Sequence, residues 1–191
     1  MWDIIAAAGW PIWPLIATSV FGVAIILERL WSLRESYVIP NNLLEDVKKL
    51  VVSGSIKKDA IEALRKNSPL GEIMSTAIEN QNSSLEIIKD SIEETGSLVS
   101  YKLEKYLGAL STISTVAPLL GLFGTIIGMV ELFSSFTSSG HDVAVFARGI
   151  SIALYNTAGG IVVAVPAMIA YRFFRSKIDN LVVEMLSLIH I

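Results

Sequence analysis

Three long apolar stretches dominate the pattern of hydrophobic and polar positions. Ile12 to Leu27 is apolar apart from Thr18 and Ser19, and Leu107 to Val130 and Gly149 to Tyr171 carry no charged residue. A helix needs about 20 apolar residues to cross the roughly 30 Å hydrocarbon core. All three stretches meet that length, the first by including Pro11 and Leu30-Trp31. Isolated spans must be helical, because lipid offers backbone groups no partner. The pattern predicts an all-α membrane protein with transmembrane helices at 11–31, 106–133 and 147–172. An interfacial segment (1–10), a cytoplasmic helical domain (32–105), a periplasmic loop (134–146) and a cytoplasmic C-terminal helix (173–191) lie between and around them.

The polar insertion also reads as helical. Pro40-Asn41-Asn42 opens a helix with Leu43, Val47, Leu50 and Val51 on one face, and Ser53-Gly54 closes it. Ile56, Ala60, Ile61 and Leu64 mark a second helix, and Pro69 sits in the first turn of a third. Ser83-Ser84-Leu85-Glu86 has the spacing of a capping box. From Leu85 no breaker appears before Gly108, and Ile88, Ile92, Thr95, Val99, Leu103 and Tyr106 share one stripe. One continuous helix from about residue 84 to about 133 is expected, roughly 75 Å long at 1.5 Å per residue. Phe174, Ile178, Leu181, Val182 and Met185 extend the third span in the same way. Such amphipathic extensions need neighbours, and other copies of the chain would supply them. The final residues LSLIHI (186–191) are expected to be foreign to the natural chain, whose own C-terminus would then be missing.

Lysine and arginine set an orientation. None precedes the first span, many lie between the first and second, and Arg172, Arg175 and Lys177 follow the third. The positive-inside rule gives an outer N-terminus and an inner C-terminus. The first span is expected to be a permanent anchor, with Trp2, Trp10 and Trp13 as an interfacial belt and Glu28-Arg29 paired locally at its inner end. A net charge of −3 gives no reason to expect nucleic acid. Without cysteine there is no disulfide or thiolate metal site, and His141 and His190 have no ligand-spaced companion. No nucleophile–base pair or phosphate loop suggests an enzyme, and no cofactor or metal is expected.

The second and third spans give up large side chains in an ordered way. Gly121, Gly124 and Gly128 form a small-residue face beside Thr125, with Pro118 upstream. Gly149, Ala153, Asn156, Thr157, Gly160 and Ala164 form another, with Pro166 beyond. Two readings stay open. The stripes pack helix on helix, with Thr125 and Thr157 bonded to their own i−4 carbonyls; or they face a lumen or partner helix, which the mid-membrane amide of Asn156 favours. Glu131 and Arg148 lie near the outer ends, able to snorkel, to pair with each other or to pair with Asp142. No Asp, Glu, His or Lys lies at mid-depth, so any proton pathway needs an ionisable group from another chain.

These segments, APLLGLFGTIIGM at 117–129 and GISIALYNTAGGIVVAVPAMIAYRFF at 149–174, resemble the MotA/TolQ/ExbB proton-channel family, nearest its ExbB and TolQ members. The resemblance implies a pentameric ring of second and third spans. That ring would enclose an ExbD- or TolR-like single-span partner whose aspartate carries the ion, a proton or else sodium. It also implies force delivered through a TonB- or TolA-like protein in the inner membrane. Pore threonines carry over to Thr125 and Thr157, with Asn156 beside them, and prolines to Pro118 and Pro166. Ile152 departs from the pattern, standing where such proteins usually have glutamate, and Asn156 where a small residue is usual. A MotA-like stator, with Arg65 and Lys66 as rotor contacts, and a non-conducting scaffold are the alternatives.

Overall fold

A computed structural model describes residues 2–52, 58–134, 136–137, 140–141 and 143–190. Nine helices and one short strand pair are found among them. Two units divide the chain: Met1–Glu28 with Tyr106–Arg172, and Arg29–Lys105 with Phe173–Ile191.

In the first unit, α1 (Trp2–Ala8) precedes α2 (Ile12–Ser32), and α8 (Leu107–Ser134) is followed by α9 (Val143–His190). These last three helices are long and apolar enough to span a membrane. Their outward positions stay apolar: Phe21 and Leu27 on α2, Leu119 and Val130 on α8, Leu154 and Val162 on α9 are all exposed. Water would not tolerate such a surface, and lipid requires it. The protein is a multi-pass, mostly helical membrane protein. Within the 134–146 loop, β1 (Phe136–Thr137) pairs antiparallel with β2 (Gly140–His141), a feature not expected from the sequence.

The second unit takes α3 (Glu35–Val38), α4 (Leu43–Val52), α5 (Lys58–Asn67), α6 (Pro69–Glu79) and α7 (Leu85–Leu103). Leu33, Val38, Leu70, Ile73, Val99, Phe174, Ile178 and Met185 are almost fully buried. The predicted stripe on α7 is buried or half-buried from Ile88 to Leu103. Ser68 caps α6 by accepting from the Gly71 N–H at 3.1 Å, just ahead of Pro69. The predicted end of α4 at Ser53-Gly54, and Ile56, lie outside the described residues.

Several expectations need correction. The helix expected to run from about 84 to 133 is broken: α7 stops at Leu103 and α8 starts at Leu107. Tyr106 between them has φ 69°, a left-handed conformation that is costly for a residue bearing a Cβ. Arg29 is almost fully buried, and its Nη1 donates to the Leu103 carbonyl at 2.9 Å. A cation on the last carbonyls of a helix is favourable, so Arg29 supports the end of α7. Ser84, not Ser83, is the N-cap of α7, accepting from the Ile87 N–H at 3.4 Å. That places Ile87 where a capping box needs Glu, and the box does not form. The α9 helix continues through the LSLIH run, and Leu186 is half-buried toward Gly96, extending the stripe of Ile178, Leu181 and Met185.

Candidate functional site

The glycine faces of α8 and α9 meet each other. A Cβ at Gly121 would lie 2.8 Å from the Asn156 carbonyl oxygen and 3.3 Å from the Thr157 Cα. At Gly128 it would lie 2.5 Å from the Gly149 carbonyl oxygen and 2.7 Å from the Ala153 nitrogen. At Gly149 it would meet the Leu132 Cβ at 2.8 Å, and at Gly160 the Ala117 carbonyl oxygen at 2.8 Å. Gly124 is pressed directly onto Asn156. At Gly121, Gly128 and Gly160 the facing backbone occupies the space a side chain would need. That is how helices associate where lipid removes any hydrophobic drive between them. The glycines and Ala153 therefore pack helix on helix within one chain.

Asn156 lies in the same seam and is fully buried. Its Nδ2 donates to the Ala8 carbonyl at 2.7 Å and to the Ile152 carbonyl, one turn back, at 2.8 Å. The lumen-facing position considered from its polarity is not where this chain puts it.

Thr125 and Thr157 are set apart from the seam. Thr157 is exposed and donates to the Ala153 carbonyl at 3.0 Å, the expected i−4 bond. Thr125 is half-buried and donates to the Leu122 carbonyl at 2.6 Å, an i−3 bond. Their side of the helix pair follows from the contacts of α2. Trp10 meets Phe123 of α8 edge-on, with ring centroids 5.9 Å apart, and Ile12 and Leu15 cover Gly159 of α9. Two residues along a helix turn through about 200°. Thr125 is two residues from Phe123, and Thr157 two from Gly159. Both hydroxyls thus lie on the flank of the α8–α9 pair opposite α2. Their depths agree to about one turn, since Gly121 packs on the Thr157 Cα and Thr125 is one turn further along.

Pro118 and Pro166 have exposed rings, and α8 and α9 pass through both without interruption. Arg148 and Glu131 pair with each other, Nε to Oε1 at 3.0 Å; Asp142 lies outside the described residues. Ile152 is buried against Gly9. In the second unit Arg65 is held by Glu79 at 2.6 Å and by Ser75, and Lys66 by Glu62 at 2.7 Å. Among the described residues no cluster of His, Cys, Asp and Glu could hold a metal.

Residues 65–187, more than half of the chain, match the model of the MotA/TolQ/ExbB proton channel family. The chain belongs to this family. A Synechocystis sp. protein named as an ExbB-like biopolymer transport protein is 34% identical over 85% of this chain and 79% of its own length. A Methanothermobacter thermautotrophicus protein named as an ExbB homologue is 30% identical over 87% of this chain, which spans 60% of that relative. The Tol-Pal system protein TolQ of Pseudomonas aeruginosa is 39% identical over 42% of this chain and 36% of its own length. This chain is therefore a member of a family of membrane transport-associated proteins.

One structural element is not expected from the sequence. The short helix α1 and its elbow at Gly9–Pro11 dock on α9 through Asn156 and Ile152. A glycine followed two residues later by proline is a helix C-terminal signal, and it was there to be read.

Proposed function

We propose that the chain is the scaffold subunit of an ion-driven motor in the inner membrane. Copies of α8 and α9 form a ring, a pentamer in the family's pattern, with the N-terminus outside and the C-terminus in the cytoplasm. Inside it sits an ExbD- or TolR-like single-span partner whose membrane aspartate carries the proton. The motor energises TonB-dependent import or a related envelope process.

The observation that carries this reading is the flank bearing Thr125 and Thr157. Two hydroxyls at similar depth, on an exposed side of the helix pair, are positioned to hydrogen-bond a titrating group or its water from another helix. The spans themselves supply no charge between Leu107 and Val130 or between Gly149 and Tyr171. The lumen wall is the threonine flank and not the glycine stripe, which is consumed within the chain. One elementary charge crossing 100 mV releases about 2.3 kcal/mol, enough to bias a ring–partner equilibrium between docked states of similar energy.

The test is proton flux into liposomes holding the chain with its co-purified partner. Thr125→Val and Thr157→Val keep the shape of the flank and remove the hydroxyls. Loss of flux in both, with assembly intact, supports the reading; full flux in both removes the assigned role. A non-conducting scaffold is the second reading. It is favoured by the self-contained glycine seam and by threonines already bonded to their own helices, and it predicts no flux in the parent. The stator reading gains nothing from Arg65 and Lys66, whose charges are met by Glu79 and Glu62.

A further inference from the structure

Asn156 does more than fill the α8–α9 seam. Its amide is fully buried and turned so that both Nδ2 protons meet carbonyls, one on Ile152 of its own helix and one on Ala8 at the end of α1. The opposite amide orientation would set an acceptor against two acceptors. The elbow it grips has its own geometry. Gly9 has φ 73°, the left-handed conformation that ends a helix, and Pro11 follows, buried, before α2 begins at Ile12. The nearest atoms to a Cβ on Gly9 would be those of Ile152 and Pro11, at an ordinary 3.5 Å, so glycine is needed here for its backbone freedom and not for space.

We infer that Asn156 is the latch of an N-terminal strap: its amide holds the last carbonyl of α1 on the third span, and the elbow Ala8–Pro11 is built to dock and release. Release is the point that Oδ1 decides. That oxygen is buried with no hydrogen-bond partner. A buried acceptor left unpaired costs about as much as one good hydrogen bond returns. The unpaired Oδ1 therefore offsets part of what the two Nδ2 bonds contribute to the closed strap. Among the described residues, the bonds that hold the elbow are neutral amide to carbonyl. Anything that binds α1 can thus change how α9 is held. This inference needs only the geometry of the first unit and does not rest on the motor reading.

The test is hydrogen–deuterium exchange of the full chain in lipid nanodiscs. Asn156→Leu keeps much of the volume and removes the donor. Gly9→Ala leaves Asn156 in place and strains the elbow. In both variants the amides of Ile5–Gly9 and of Trp10 are expected to exchange about five- to tenfold faster than in the parent, the worth of one neutral hydrogen bond. In Gly9→Ala, which leaves the seam untouched, the Gly121–Gly128 segment is expected to exchange as in the parent. Unchanged exchange in α1 would overturn the latch. Equal acceleration throughout Leu107–Arg172 would also overturn it, making Asn156 a packing residue alone. If Asn156→Leu does not accumulate in the membrane, Gly9→Ala decides between the same results.

Discussion

Adding one methyl group at Gly128 tests the account of the seam. The new Cβ would stand 2.5 Å from the Gly149 carbonyl oxygen and 2.7 Å from the Ala153 nitrogen. Carbon–oxygen contacts settle near 3.3 Å at the closest, so the helices must part by about 0.8 Å. Both obstructing atoms are backbone, and no rotamer change relieves them. A radial gap of that size forfeits a quarter to a half of each dispersion contact, at roughly 0.1–0.2 kcal/mol per atom pair. That loss and the local overpacking together come to about 2–3 kcal/mol. The better helix propensity of alanine returns up to about 1 kcal/mol. The net cost of Gly128→Ala is therefore about 1–3 kcal/mol. Gly108 is the control: it is in the same helix, and a Cβ there meets nothing within 4 Å. Gly108→Ala should be neutral or stabilising by up to about 1 kcal/mol. Equilibrium unfolding in mixed micelles, run on parent and both variants, reads the difference. A Gly128→Ala protein as stable as Gly108→Ala would refute the close backbone contact from which the seam is built.

Further outcomes follow from single contacts. Arg29→Ala removes the buried guanidinium from the Leu103 carbonyl and should cost about 1.5–3 kcal/mol, read by denaturation and by faster exchange of the last turn of α7; an unchanged last turn would deny Arg29 its capping role. Ser68→Ala should lower stability by about 1 kcal/mol through loss of the α6 cap, with Ser84→Ala acting likewise on α7 and Ser83→Ala close to neutral. Lys66→Ala, which breaks an exposed i,i+4 pair, should change thermal stability by less than about 0.5 kcal/mol.

The spans were legible because twenty-residue apolar runs have one physical solution in lipid. The small-residue stripes were legible as stripes. Their partner was not, because spacing fixes which face a glycine occupies but not what comes against it. Gly121, Gly124 and Gly128 could as well have received a foreign helix; the short 134–146 connection instead folds Gly149, Ala153 and Gly160 back onto them. Asn156 misled for a related reason: a mid-membrane amide demands a partner, and the carbonyl of Ala8 lies 148 residues away in sequence. The break at Tyr106 left no local mark. No glycine or proline stands at 104–106, although Tyr106 takes a left-handed conformation there. Ser83 and Ser84 are both good caps, and pattern alone chose the wrong one by a single residue.

The central claim is that the flank carrying Thr125 and Thr157 faces the interior of an assembly. A high-resolution map of the complex purified from membranes with its partners tests it most directly. The account predicts several copies with those two threonines turned toward a shared central space that holds another protein's helix. A map in which the threonine flank faces lipid, or closes against a neighbouring copy with no central helix, would contradict it.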